Sequence, residues 1–201
     1  MTTERVQAFS DAVFSILITI LVLEFNVPAY EEGKLLAAVL QQWPKFFAYI
    51  MTFTYIGILW LFHHDLFSEI QLTTAKLNIL NLFSIFLTTL LSYSMSLLAA
   101  SLATMNQRDL RFAIAFYALL ALGISISYLL FYRYIAQNAY LLQCSRESML
   151  FKRLQMYPFI SCLLYLLALV SSFFSLAAGM FFLIIGVLFH YYAYWLTLRN
   201  K

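Results

Sequence analysis

The chain has 201 residues, 64% of them hydrophobic and 10% charged, with a net charge of +3. Soluble domains are about half apolar and about a quarter charged, so this composition excludes a soluble domain of ordinary size and describes a chain that is nearly all membrane. The positive charge is not gathered into a basic cluster with interleaved exposed aromatics, which argues against a nucleic-acid partner.

With 5 Gly and 3 Pro, the expected architecture is all-α, with six fairly regular transmembrane helices in one domain covering 1–201. Barrel strands would show alternating segments of about ten residues, and the apolar runs here do not alternate. The first span is expected at about 4–26, "ERVQAFSDAVFSILITILVLEF" from Glu4. Asp11 stands where the apolar part of a signal peptide would begin and no A-x-A site follows, so the segment reads as a retained span. Twelve residues, Ala12 to Leu23, separate Asp11 from Glu24. At 1.5 Å per residue they cover roughly 18 Å, short of the roughly 30 Å hydrocarbon core. The shortfall is relieved if the helix is enclosed by others or lines water. Ile16, Ile20 and Leu23 form one stripe, which Ala12 extends; Ser15 and Thr19 sit beside it. A hydroxyl edge along an aliphatic stripe suits a packed seam or a pore wall. Spacing alone favours the seam, because Ser and Thr are common at membrane helix interfaces.

The loop "VPAYEEG" leads to a short amphipathic helix at about 34–43, with Leu35, Leu36, Val39, Leu40 and Trp43 at helical spacing, suited to the membrane interface. Pro44 opens the second span, about 44–65, since its missing N–H costs nothing in a first helical turn. The remaining spans are expected at about 72–103, 109–135, 154–173 and 176–198. The stretch 171–179, "SSFFSLAAG", reads as a tight outer turn or as part of one long kinked helix. With the N-terminus inside, eight Lys and Arg flank the inner span ends (Arg5, Lys76, Arg133, Arg146, Lys152, Arg153, Arg199, Lys201) and four the outer ones (Lys34, Lys45, Arg108, Arg111). This bias predicts cytoplasmic N- and C-termini. Cys144 and Cys162 form no ligand pattern and read as small core residues. The many aromatics read mostly as lipid-facing bulk and interfacial anchors.

Ionisable groups within spans are expensive and mark functional or structural sites. Asp11 is the first. His63 and His64, beside Asp65, end the second span, and Asn78 and Asn81 share one face of the third. All fall at the cytoplasmic side and can meet in one layer. There Asp11 would accept from an imidazole, Ser10 would bond that ring or an Asn, and Arg5 would balance the carboxylate. The plainer alternative leaves them hydrated among headgroups. His190 stands apart and reads as a packing or interfacial histidine. No phosphate loop, zinc motif, nucleophile elbow, TVGYG filter or Arg-rich voltage sensor is present. The residues alone leave channel, transporter and membrane enzyme open.

The string Arg5-x-x-x-Phe9-Ser10-Asp11 at the head of a first span resembles the RxxxFSD signature of the transmembrane protein 175 family of potassium channels. "FSDAVFSILITILVLEF" is similar to that family's first helix, and "WLFHHDLF" (60–67) to the end of its second. The resemblance implies a homotetramer in the cell membrane with four first helices around a potassium-permeable pore, and neither an enzyme nor a resident cofactor. It implies that Ile16, Ile20 and Leu23 form the hydrophobic constriction, with Ser15 and Thr19 the hydroxyls nearest the K+ path. Arg5, Ser10 and Asp11 would tie the first helix to Trp60, to His63 or His64, and to Asn78 or Asn81. The rival reading is a proton- or ion-coupled transporter using Asp11, His63 and His64.

Overall fold

A computed structural model describes residues 2–142 and 149–199. Cys144, Arg146 and Lys201 lie outside the described residues, as do the side chains of Lys152 and Arg153. The elements are helices: α1 (Thr3–Ile20), continued by a 3-10 turn (Leu21–Glu24), α2 (Leu35–Gln41), α3 (Trp43–Ser68), α4 (Ala75–Thr104), α5 (Gln107–Gln137), α6 (Met149–Phe174) and α7 (Leu176–Leu198). A short 3-10 turn, Ala139–Leu141, follows α5. All of these except α2 and the isolated 3-10 turn contribute to six spans long and apolar enough to cross a membrane.

Local chemistry sets the helix starts. The Thr74 hydroxyl accepts from the Leu77 amide and begins α4. Asn106 accepts from the Arg108 and Asp109 amides and begins α5, with Asp109 placed favourably at the positive end of the helix dipole. Pro44 lies in the first turn of α3. The 171–179 stretch breaks at a single residue: Ser175 is extended, and its hydroxyl caps α7 by accepting from the Ala178 amide. Two antiparallel helices therefore replace one long kinked one. Gly179 allows their close approach, because a Cβ there would stand 2.8 Å from the Ser172 Cα.

α1 departs from the expected 4–26 span. Its α-helical part stops at Ile20, and the last apolar turn tightens to 3-10, which rises about 2.0 Å per residue rather than 1.5. α2 is shorter than the expected interfacial segment, and none of its residues is buried. Gln42, just beyond it, donates to the Asn26 carbonyl and anchors the connecting loop.

α5 is the core helix, packed against α4, α6 and α7, while α3 joins α1, α4 and α7. Two of the buried tyrosine hydroxyls in this core find partners. Tyr117 and Thr52 are 3.1 Å apart, and Tyr128 donates to the Leu59 carbonyl at 3.2 Å. α1 lies at the edge of the bundle, against α3 and α4.

Candidate functional site

α1 has two different faces. One turns inward through Val6, Ser10, Phe14, Leu17 and Leu21, all buried. At its N-terminal half this face carries a hydrogen-bonded chain. The Ser10 hydroxyl donates to the Val6 carbonyl at 2.9 Å, so its oxygen accepts from Asn81 Nδ2, also at 2.9 Å. That orients the amide with Oδ1 toward His63 Nε2, 2.8 Å away, which must donate. The chain therefore runs one way, His63 to Asn81 to Ser10 to Val6. His63 is fully buried, stacked on Phe67 at 4.4 Å and tilted against Phe14 at 5.4 Å. Its Nδ1 is left without a partner among the described residues.

A second tie lies beside the first. Trp60 Nε1 donates to Asp11 Oδ1 at 2.9 Å, and His64 Nδ1 lies 3.3 Å from Asp11 Oδ2. Gln7 Nε2 also approaches His64 Nδ1 at 3.3 Å. A carboxylate only accepts and an amide NH2 only donates, so this ring nitrogen serves one of them at a time. The tie is half-exposed, with 45% of the His64 side chain and 31% of the Asp11 side chain accessible.

The two histidines thus divide their partners, His64 lying beside Asp11 and His63 beside Asn81. Two expected members do not join. Arg5 is exposed and makes no ion pair with Asp11 among the described residues. Six residues along an α-helix correspond to about 9 Å of rise and a 240° turn, which separates the two side chains. Asn78 bonds neither Ser10 nor His63, and its Oδ1 is buried without a partner among the described residues. Its three-residue offset rotates it away from the line on which Asn81 meets both neighbouring helices. Sequence reasoning passed over Gln7 and Phe14. Gln7 stands four residues before Asp11, on the same helical face, and that spacing was the available signal.

The other face of α1 is uncovered. Phe9, Ala12, Ser15, Ile16, Thr19, Ile20 and Leu23 are all exposed, with Ile16 at 59% and Leu23 at 74%. They follow one line along the helix at spacings of three and four. Thr19 Oγ1 donates back to the Ser15 and Ile16 carbonyls, at 3.1 and 2.9 Å. Its hydrogen is held by the helix, which leaves the oxygen lone pairs for whatever lies outside. His190 is buried and remote from this face, with Nδ1 2.7 Å from the Gly186 carbonyl of its own helix. It is a packing histidine of α7 and not an interfacial one.

Comparison with known proteins bears on this two-faced helix. Residues 5–92 match the family model described as "Endosomal/lysosomal potassium channel TMEM175". A Chryseobacterium sp. protein named a potassium channel is 31% identical over 189 residues, covering 92% of this chain and 91% of that one. The Homo sapiens protein named "Endosomal/lysosomal proton channel TMEM175" is 37% identical over 94 residues; these cover 42% of this chain and 19% of the human protein's length. A crystal structure described as a lysosomal potassium-selective channel TMEM175 homolog from Chamaesiphon minutus matches with a TM-score of 0.81 at 28% identity, covering 95% of this chain and 97% of that one.

Proposed function

The chain belongs to the TMEM175 family, a family of ion channels and not of enzymes, and from that premise we propose that it forms a cation channel permeable to K+ over Na+. Four copies set their α1 helices around a common axis, in a cell membrane, with both termini cytoplasmic. The observation that carries this reading is the uncovered stripe on α1, continuous from Phe9 to Leu23 while the opposite face is packed and hydrogen-bonded. A helix tied along one side and bare along the other is held in a fixed rotation. Copies of it can then present the same residues to a shared axis.

On that axis Ile16 forms the narrow ring, followed by Ile20 and Leu23. Hydrophobic constrictions gate by dewetting. A cation crossing such a neck sheds water, and K+ sheds water at lower cost than Na+, which gives a preference without a carbonyl cage. Ser15 and Thr19 stand next to the ring. The outward lone pairs of Thr19 suit partial replacement of the lost hydration. The Chryseobacterium relative's name and the description of the Chamaesiphon structure support K+ as the permeant ion. The eight-to-four distribution of Lys and Arg supports the orientation.

The proton-coupled reading through Asp11, His63 and His64 finds a motive in the human relative's name, but the hydrogen-bond chain speaks against a relay through His63. A relay through His63 would have to pass a proton across the Asn81 amide and end on the Val6 carbonyl. Neither group takes and releases a proton at ordinary cost, so the chain acts as a tether. The test is flux into liposomes containing the purified protein, with K+, Na+, Cs+ and H+ compared. We expect K+ to move down its own gradient faster than Na+, with no imposed proton gradient. Flux that requires a proton gradient, or no cation flux, overturns the reading.

A further inference from the structure

The cluster around His190 lies outside the α1 pore face and the Asp11 layer, and what it holds does not depend on the channel reading. His190 is 8% exposed. The rings of Tyr55 and Tyr165 lie 5.3 and 5.8 Å from its own, the latter stacked. Gly186 makes this packing possible, since a Cβ there would stand 2.5 Å from a ring carbon of Tyr165.

The hydrogens around this imidazole can be counted. Nδ1 is 2.7 Å from the Gly186 carbonyl, which only accepts, so Nδ1 carries a hydrogen. Nε2 lies 3.3 Å from the Ser161 hydroxyl, but that hydroxyl has one hydrogen, and the Tyr157 carbonyl lies nearer at 2.9 Å. One hydrogen faces two acceptors. Protonating Nε2 would resolve this, with Ser161 then accepting. However, no Asp or Glu lines the adjoining cavity to offset a buried imidazolium. The lone pair at Nε2 of the neutral ring must share the single Ser161 hydrogen with the nearer Tyr157 carbonyl.

A cavity of about 30 Å³ adjoins this nitrogen, lined by His190, Ser161, Pro158, Ser125 and Tyr132 among others. Its size decides the class of occupant. One water needs about 10–15 Å³, whereas a cavity that admits benzene is about 150 Å³. The site is large enough to hold a water molecule. Pro158, inside α6, lines the same cavity.

We propose that this cavity is an internal hydration site. There one water molecule donates a hydrogen to His190 Nε2, beside the proline of α6. The test uses the full chain in lipid bilayers with ¹⁵N-labelled histidine, read by solid-state NMR with magnetisation transfer from water protons. The His190 signals are assigned by their loss in His190→Gln, and independently by through-space contact with the Tyr165 ring in the native chain. The expected result is a neutral ring protonated at Nδ1, with Nε2 receiving transfer from water, and transfer that survives Ser161→Ala. An Nε2 without water transfer overturns the proposal. So does transfer abolished by Ser161→Ala, which would make the serine the donor, or a doubly protonated ring.

Discussion

α1 and α5 are almost equally hydropathic, yet 28% of the apolar window of α1 is buried within the chain against 61% for α5. α5 is enclosed on several sides. It places Ala113, Ala118 and Ala121 where neighbouring helices come close, and its buried Tyr117 and Tyr128 reach Thr52 and the Leu59 carbonyl. α1 is bound on one side by polar side chains and left with aliphatic and hydroxyl groups on the other. Hydropathy therefore decides that a helix enters the membrane and leaves open whether it meets protein, lipid or an ion path. For α1 the polar residues settle which face meets protein, because a hydrogen-bonded layer fixes the side that turns into the bundle.

Substitutions in the bundle and on the bare face should separate the two roles. The largest loss of stability is expected from Gly186→Ala in the bundle. The added Cβ collides with the Tyr165 ring, and overpacking of this kind costs about 1–3 kcal/mol. Unfolding in detergent should show it, and an unchanged midpoint would mean that the ring moves aside freely. Asn81→Leu should follow. It keeps the γ-branched shape but removes the acceptor of His63 and the donor to Ser10, at about 1–2 kcal/mol for membrane hydrogen bonds. The same assay should register the loss, together with weaker assembly of the proposed tetramer as α1 loses its fixed rotation.

On the bare face the effects should pass from stability to conduction. Ile16→Asn should alter unfolding by less than about 0.5 kcal/mol, as surface changes usually do, while wetting the neck, raising conductance and reducing discrimination between K+ and Na+. Native conductance and selectivity in that variant would remove Ile16 from the constriction. Thr19→Val is the smallest change, since the lost hydroxyl bonds only its own helix. Stability should hold and the K+/Na+ permeability ratio should fall modestly. A ratio that stays put would show that Thr19 takes no part in selectivity.

Much of this was legible before any coordinates. Long apolar runs imply helices, because a backbone in lipid must satisfy its own hydrogen bonds, and the polar interruptions at Asp11, His63, His64 and Asn81 stood out for the same reason. The pairings among them were not legible. His63 and His64 are adjacent in sequence, and the 100° turn between successive helical residues sends one into the bundle and leaves the other beside Asp11 at its edge. Arg5 and Asp11 share a motif but not a face. His190 gave no sign in the sequence of the cavity beside it, because Pro158 and Ser161 come from another helix.

By itself, then, the sequence determined the membrane class, the number of spans and the candidate polar layer, since these follow from the cost of placing each residue in hydrocarbon. The tertiary structure decided which face of α1 is bound and which is bare, how the histidines divide their partners, and where α6 turns back as α7. Those outcomes depend on helix rotation and on contacts between residues far apart in the chain, which local composition does not encode.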